Sequence, residues 1–220
     1  MNICTLAIGN KSQKRALNLA KSLPVPIEIH KSLPKNAILF YKNQKEQDVF
    51  NTNCKRFIIR SSYDPEGTLC IDSDVTCVNK KDFLECCEKL KIAEEGIYSP
   101  YIFSAYGYKV PKILDNFIDK KKLMYNINFF KNITKFSEKN LLNLYMPYEW
   151  FYFFKFKDEI QKEIFFNYWD YLEKFAIKNK NINLRNESYL VAFSAFYCGL
   201  KINKIENKTG ALHKLARIYI

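Results

Sequence analysis

From Ile3 to Leu90 the chain switches repeatedly between short apolar runs and stretches whose apolar residues recur at helical spacing, which restricts it to folds that bury strands and helices against one another. The opening run, Ile3-Cys4-Thr5-Leu6-Ala7-Ile8, ends at Gly9-Asn10 and passes into residues 11–23, where Ala16, Leu17, Leu19, Ala20 and Leu23 line one helical face. That reads as strand, glycine turn, helix. Short strands follow at 27–29 and 37–41, and residues 44–60 carry Val49, Phe50, Phe57 and Ile58 as a further helix. Another apolar run comes at 69–71 and a helix at 80–90. Such alternation predicts an α/β chain with a Rossmann-like, doubly wound sheet, in which ligands bind beyond the carboxyl ends of the strands.

The run Leu69-Cys70-Ile71 stops abruptly at Asp72-Ser73-Asp74, before Val75. In an extended segment, side chains two apart lie on one face, which lets Asp72 and Asp74 converge on one cation. Carboxylate oxygens are hard ligands suited to Mg²⁺ or Mn²⁺, ions that hold phosphate substrates through one or two carboxylates. The same triplet also reads as a cap for the next helix or as a solvated loop, and the residues alone leave both readings open. Gly9 and Asn10 fall at another predicted strand end, so they share the expected crevice with the aspartates.

The remaining residues are less regular. Residues 96–110 are rich in Tyr and Ser, and 124–130 read as a strand. In the aromatic run 145–156, Tyr148, Trp150 and Tyr152 alternate, either as stacking faces for a sugar or as core. Residues 158–177 predict an amphipathic helix starting near Asp158, with Ile160, Ile164, Phe165, Tyr168, Leu172, Phe175 and Ala176 turned inward. Another helix is predicted over 187–200, and Glu187 at its start is either a general base or an acid placed by the helix dipole. Arg56 and Arg60, four apart ahead of the aspartates, share a helical face that meets phosphate, nucleobase or solvent.

In a chain of 220 residues, a hydrophobic share of 48% is enough to build the core of one domain. Its 35 Lys and Arg against 23 Asp and Glu leave a formal charge of +12, which favours anionic partners. The basic residues are dispersed, with no arginine-rich block, zinc-finger spacing or basic region leading into heptads, so no nucleic-acid partner is expected. Seven cysteines show no metal-ligand spacing, and their odd number without a cleavable signal peptide points to a reducing cytoplasm. No apolar run approaches the ~20 residues that span a bilayer, so membrane contact is expected to be peripheral, at an anionic inner face.

These segments together resemble a nucleotide-sugar glycosyltransferase of the GT-A fold. The resemblance rests on Asp72-Ser73-Asp74 within 69–78, on Thr5 to Asn10 as the first turn, and on Cys54-Lys55-Arg56-Phe57 in the preceding helix. Tyr125-Asn126-Ile127-Asn128-Phe129-Phe130, Asn186-Glu187-Ser188-Tyr189-Leu190 and Leu212-His213-Lys214 complete it. It implies a single domain over 1–220 with a mixed central sheet flanked by helices, residues 1–90 forming roughly the nucleotide-binding half and 91–220 the acceptor-binding half. It further implies Mn²⁺ or Mg²⁺ held by Asp72, Asp74 and His213, with Ala7, Ile8, Gly9, Asn10, Arg56, Asp72, Ser73 and Lys214 at the nucleotide. The donor would be a nucleoside diphosphate sugar, a UDP-sugar foremost, and the acceptor a glycan or lipid-linked glycan. The wealth of Asn, Lys, Ile and Phe resembles an AT-rich bacterial proteome, where lipooligosaccharide or capsule assembly is a natural setting.

Two other readings use the same chain. Asp72-Ser73-Asp74-Val75-Thr76 also resembles the signature of haloacid-dehalogenase-like phosphatases, with Asp72 as nucleophile and Asp74 as acid/base. Those enzymes carry the motif on their first strand, whereas here a strand, turn and helix precede it. A non-enzymatic basic module would instead bind RNA or anionic membrane through lysines and exposed aromatics, indifferent to both aspartates.

Overall fold

The computed structural model describes residues 1–35, 37, 55–104, 131, 136, 137, 139, 140, 144–148, 150–178, 187–205 and 212–214. In chain order its elements are β1 (Asn2–Leu6), α1 (Asn10–Ser22), β2 (Glu28–His30), α2 (Lys55–Ser61), β3 (Thr68–Ile71), β4 (Val75–Cys77), α3 (Lys80–Lys91) and β5 (Gly96–Ser99). They continue with β6 (Ile102–Ser104), β7 (Tyr145–Pro147), β8 (Phe151–Lys155), α4 (Glu159–Lys178), α5 (Glu187–Tyr197), β9 (Ile202–Lys204) and β10 (Leu212–Lys214). The strand expected over 124–130 and the first part of the helix expected over 44–60 lie outside the described residues. Ala37 was expected to open a strand and instead belongs to a helical turn, its amide donating to the Pro34 carbonyl at 2.9 Å.

The central sheet is mixed, in the order β2-β1-β3-β8-β5-β9. β1 runs parallel to β2 and β3, β8 is antiparallel to both its neighbours, and β9 is parallel to β5. This is the mixed central sheet flanked by helices that the family resemblance implies, and the α/β class is the one the alternation predicts. Two smaller ribbons, β4 with β10 and β6 with β7, stand beside it.

Strand periodicity sorts the core into two layers. Ile3, Leu69, Ile71, Phe151 and Phe153 turn toward α1 and α3, meeting Leu19, Leu23, Phe83, Cys87 and Leu90. Cys4, Cys70, Tyr152 and Phe154 turn the other way, toward Ile58 and Ile59 of α2 and the buried faces of α4 and α5. Trp150 and Tyr152 are therefore core residues on opposite sides of the sheet, and neither offers a ring to a sugar.

Local chemistry sets the helix ends. Asn79 accepts from the Asp82 amide at the start of α3, and at its end the Lys155 ammonium donates to the carbonyls of Lys91 and Ala93 at 2.8 Å. Asp158 caps α4 by accepting from the Gln161 amide at 2.7 Å. The inner face of α4 differs from the expected one. Phe165, Phe166, Trp169, Leu172 and Ala176 are buried, whereas Ile160 and Ile164 face outward. The helix is apolar on more than one side, so periodicity alone does not choose which side meets the sheet.

Candidate active site

β1 and β3 are parallel neighbours in register Cys4↔Cys70, so both open at the same edge of the sheet. Beyond β1, the Ala7 amide still donates to the His30 carbonyl at 2.9 Å, and the chain then turns through Ile8 and Gly9 into α1. Gly9 has φ 82° and ψ 157°, a conformation open essentially to glycine alone, and it precedes the unpaired amides at the amino end of α1. Beyond β3, the Asp72 amide donates to the Trp150 carbonyl at 3.0 Å, extending the β3–β8 ladder by one residue.

The aspartates do not sit on an extended segment. The Val75 amide donates to the Asp72 carbonyl at 3.2 Å, closing a four-residue turn with Asp72 first, Ser73 second and Asp74 third. The turn sends the chain out of the central sheet into β4, and all three of its leading residues are half-buried. β10 returns from the far end of the sequence to pair antiparallel with β4, in register His213↔Thr76 and Lys214↔Val75. The backbone of His213 and Lys214 thus lies beside the residues that follow Asp74.

The sequence reading names Lys55 only within Cys54-Lys55-Arg56-Phe57 and gives it no role. It opens α2 with its ammonium 2.5 Å from Asp72 Oδ1 and 3.7 Å from Glu187 Oε2, and 5.7 Å from the centre of the Tyr152 ring. Burial lowers the proton affinity of this ammonium, but the charges of Asp72 and Glu187 outweigh it, so its pKa lies above the ordinary 10.5. Lys55 is a permanent cation joining the β3 edge to the first residue of α5. Glu187 is only 1% exposed there, facing inward rather than capping a solvent-exposed helix start. A lone lysine in a chain with 35 basic residues carries no signal of its own, and only the fold singles it out.

Arg56 and Arg60 do share a face of α2, but that face meets α4. Arg56 is 1% exposed, donating from Nε to Asp170 Oδ1 at 2.6 Å and pairing with buried Glu173 through Nη1. Arg60 pairs with Glu163. The structure therefore gives Arg56, expected at the nucleotide, to an ionic seam between two helices. The correction has a simple cause: the acids that claim it lie more than a hundred residues away in the sequence.

Among the described residues no group of three or more His, Cys, Asp and Glu is assembled to hold a metal ion. What is present is two hard carboxylates in one turn, one of them already shared with an ammonium. This donor set fits Mg²⁺ or Mn²⁺ in its usual phosphate-site form, where one or two carboxylates hold the ion and the substrate's phosphates complete the shell.

No protein-family profile matches the chain, and no curated protein matches it. Among solved structures it is similar to the apo form of mouse xyloside xylosyltransferase 1, at 6% identity and a TM-score of 0.49, over 93% of this chain and 84% of that one. A likeness at that level leaves the fold and the chemistry to be read from the chain's own residues.

Proposed function

We propose that the protein is a metal-assisted glycosyltransferase of the GT-A kind, moving a sugar from a nucleoside diphosphate sugar, a UDP-sugar foremost, to a glycan or lipid-linked glycan. The observation that carries this reading is the turn Asp72-Ser73-Asp74, which opens at the shared edge of parallel β1 and β3 beside the Gly9 turn. Open α/β sheets bind nucleotides at such an edge.

Each residue then has a task. Ala7, Ile8, Gly9 and Asn10 bring the amino end of α1 to the nucleotide, where exposed amides suit anionic groups. Lys55 fixes Asp72 at the β3 edge through its ion pair with Oδ1. Asp74 is the main metal ligand, with His213 as a second ligand and Lys214 as a cation for the diphosphate. Bound Mn²⁺ or Mg²⁺ would supply positive charge where the departing diphosphate gathers negative charge. Glu187, its Oε2 3.7 Å from the Lys55 ammonium, receives the acceptor hydroxyl's proton. Arg56 has no part in this scheme, because among the described residues it is held by Asp170 and Glu173 of α4. Bacterial lipooligosaccharide or capsule synthesis is the setting that suits the composition.

The test is thermal stability with UDP, GDP, CDP and dTDP, each with and without Mn²⁺, on the wild type and Asp74→Ala. One nucleotide should raise the wild-type melting temperature only with Mn²⁺ and leave the variant unmoved, since a ligand stabilises the state that binds it. Stabilisation by phosphate mimics with Mg²⁺, together with a hydrolase activity lost in Asp72→Asn, would replace this reading with the phosphatase. Once the donor is known, Glu187→Gln should lower kcat by roughly 10²- to 10⁴-fold, the usual worth of a general base, and leave the nucleotide-dependent stabilisation intact.

A further inference from the structure

Helix α4 carries an apolar stripe that the fold leaves uncovered. Ile160, Ile164, Tyr168 and Tyr171 recur every three or four residues, on the side away from buried Phe165, Phe166 and Trp169. Ile160 is 72% exposed and Tyr171 49%. The stripe continues onto the carboxyl end of α5, where the exposed Tyr197 ring stacks on Tyr168 with centroids 3.8 Å apart and planes 2° from parallel. Gln161 ties the same corner by donating to the Cys198 carbonyl at 3.2 Å. Phe196, next to Tyr197, is also exposed and borders an apolar cavity of about 300 Å³ shared with Leu144, Ala195, Leu200 and Ile202. A contiguous apolar face of this kind marks a docking surface.

Charge decides what docks. A second copy of this chain would bring its own +12, which opposes self-association and favours an anionic surface. The acids along α4 are answered within the protein: Glu159 pairs with Lys162, Glu163 with Arg60, and Asp170 and buried Glu173 with Arg56. Exposed Lys157 and Lys178 stand at the two ends of α4, and Lys201 follows α5. Isoleucines among tyrosines suit the boundary between headgroups and acyl chains, where a ring is wet at one end and dry at the other.

We propose that the outer face of α4 and the carboxyl end of α5 form a docking surface for an anionic lipid membrane, with Ile160, Ile164, Tyr171 and Tyr197 entering the headgroup boundary. The proposal is independent of the transferase reading, because it concerns a different face of the protein and no sugar chemistry.

Co-sedimentation with phosphatidylcholine vesicles, with and without phosphatidylglycerol, tests it. The wild type should sediment with the phosphatidylglycerol vesicles and be released by high salt, which screens the charge attraction. The triple variant Ile160→Ser, Ile164→Ser, Tyr171→Ser should bind about tenfold more weakly or worse, having lost the burial of three apolar side chains. Ile92→Ser removes an 86% exposed isoleucine that follows α3, on the other side of the sheet, and should bind as the wild type does. Wild-type protein that ignores anionic vesicles, or a triple variant that binds them undiminished, would overturn the proposal. So would light scattering that shows a dimer which the triple variant loses, since the face would then belong to a second copy.

Discussion

Lys55 is the residue on which the corner between β3 and α5 depends. Its ammonium stands between Asp72 and the buried Glu187, so Lys55→Ala withdraws a counter-charge from both carboxylates. Breaking a buried pair from one side costs about 3–5 kcal/mol, and urea denaturation of Lys55→Ala should show a loss of that order. The raised pKa makes the contribution fully present below 10.5, and it is lost only as pH rises through the still higher folded-state value. The Lys55→Ala loss should therefore be the same at pH 7 and pH 9. The turn at Asp72-Ser73-Asp74 was legible in the sequence as the point where an apolar run stops at two acids. Lys55 was not legible, since nothing in its sequence neighbourhood tells it from the other lysines.

At the scale of the elements, β3 is held at its start as firmly as at its end. Gly67 precedes the strand with φ 106°, and a Cβ there would run into the Phe153 ring of β8. Gly9 also has positive φ, but a Cβ at Gly9 meets open space. Gly9→Ala should cost about 1–3 kcal/mol, the price of the backbone conformation alone. Gly67→Ala should cost more, because ring or strand must also shift. Equal losses in urea denaturation would mean that the Phe153 ring moves aside freely. Helix α4 shows the other side of element-scale reasoning. Its existence, length and cap at Asp158 follow from local pattern, but its rotation does not, because Phe165, Phe166 and Trp169 compete with Ile160 and Ile164 for the sheet. The bulkier aromatic set wins, with Arg56 and Arg60 reaching Asp170, Glu173 and Glu163 on the flank of that orientation.

For the molecule as a whole, the two core layers keep thiols and phenols out of water, and this sets its response to alkali. Cys4, Cys70, Cys77, Cys86, Cys87 and Cys198 form no disulfides. Burial pushes the Cys86 thiol up to about 11, Cys87 to about 12 and Cys198 to about 11, from an ordinary 9.0, and raises the Tyr189 phenol to about 12. Each group is an acid whose folded pKa lies above its unfolded one, so its stabilising effect is complete below the unfolded value. Above pH 9 the unfolded chain sheds these protons first, and stability should fall steadily toward pH 12. Melting temperatures that stay flat from pH 9 to 11 would show that these side chains reach solvent. No helix among the described residues is long and apolar enough to cross a membrane.

The sequence by itself determined the kinds of element, much of their order and the point where a buried strand gives way to carboxylates. Those properties depend on periodicity and on residues adjacent in the chain, which is all that local sterics and local burial require. Only the tertiary structure decided that β8 runs against its neighbours, that β10 pairs with β4, that Arg56 belongs to α4 and that Lys55 joins Asp72 to Glu187. Each of these is a contact between segments far apart in the chain, chosen by how the layers pack and by which buried charges must find a counter-charge, and neither choice leaves a mark on local spacing.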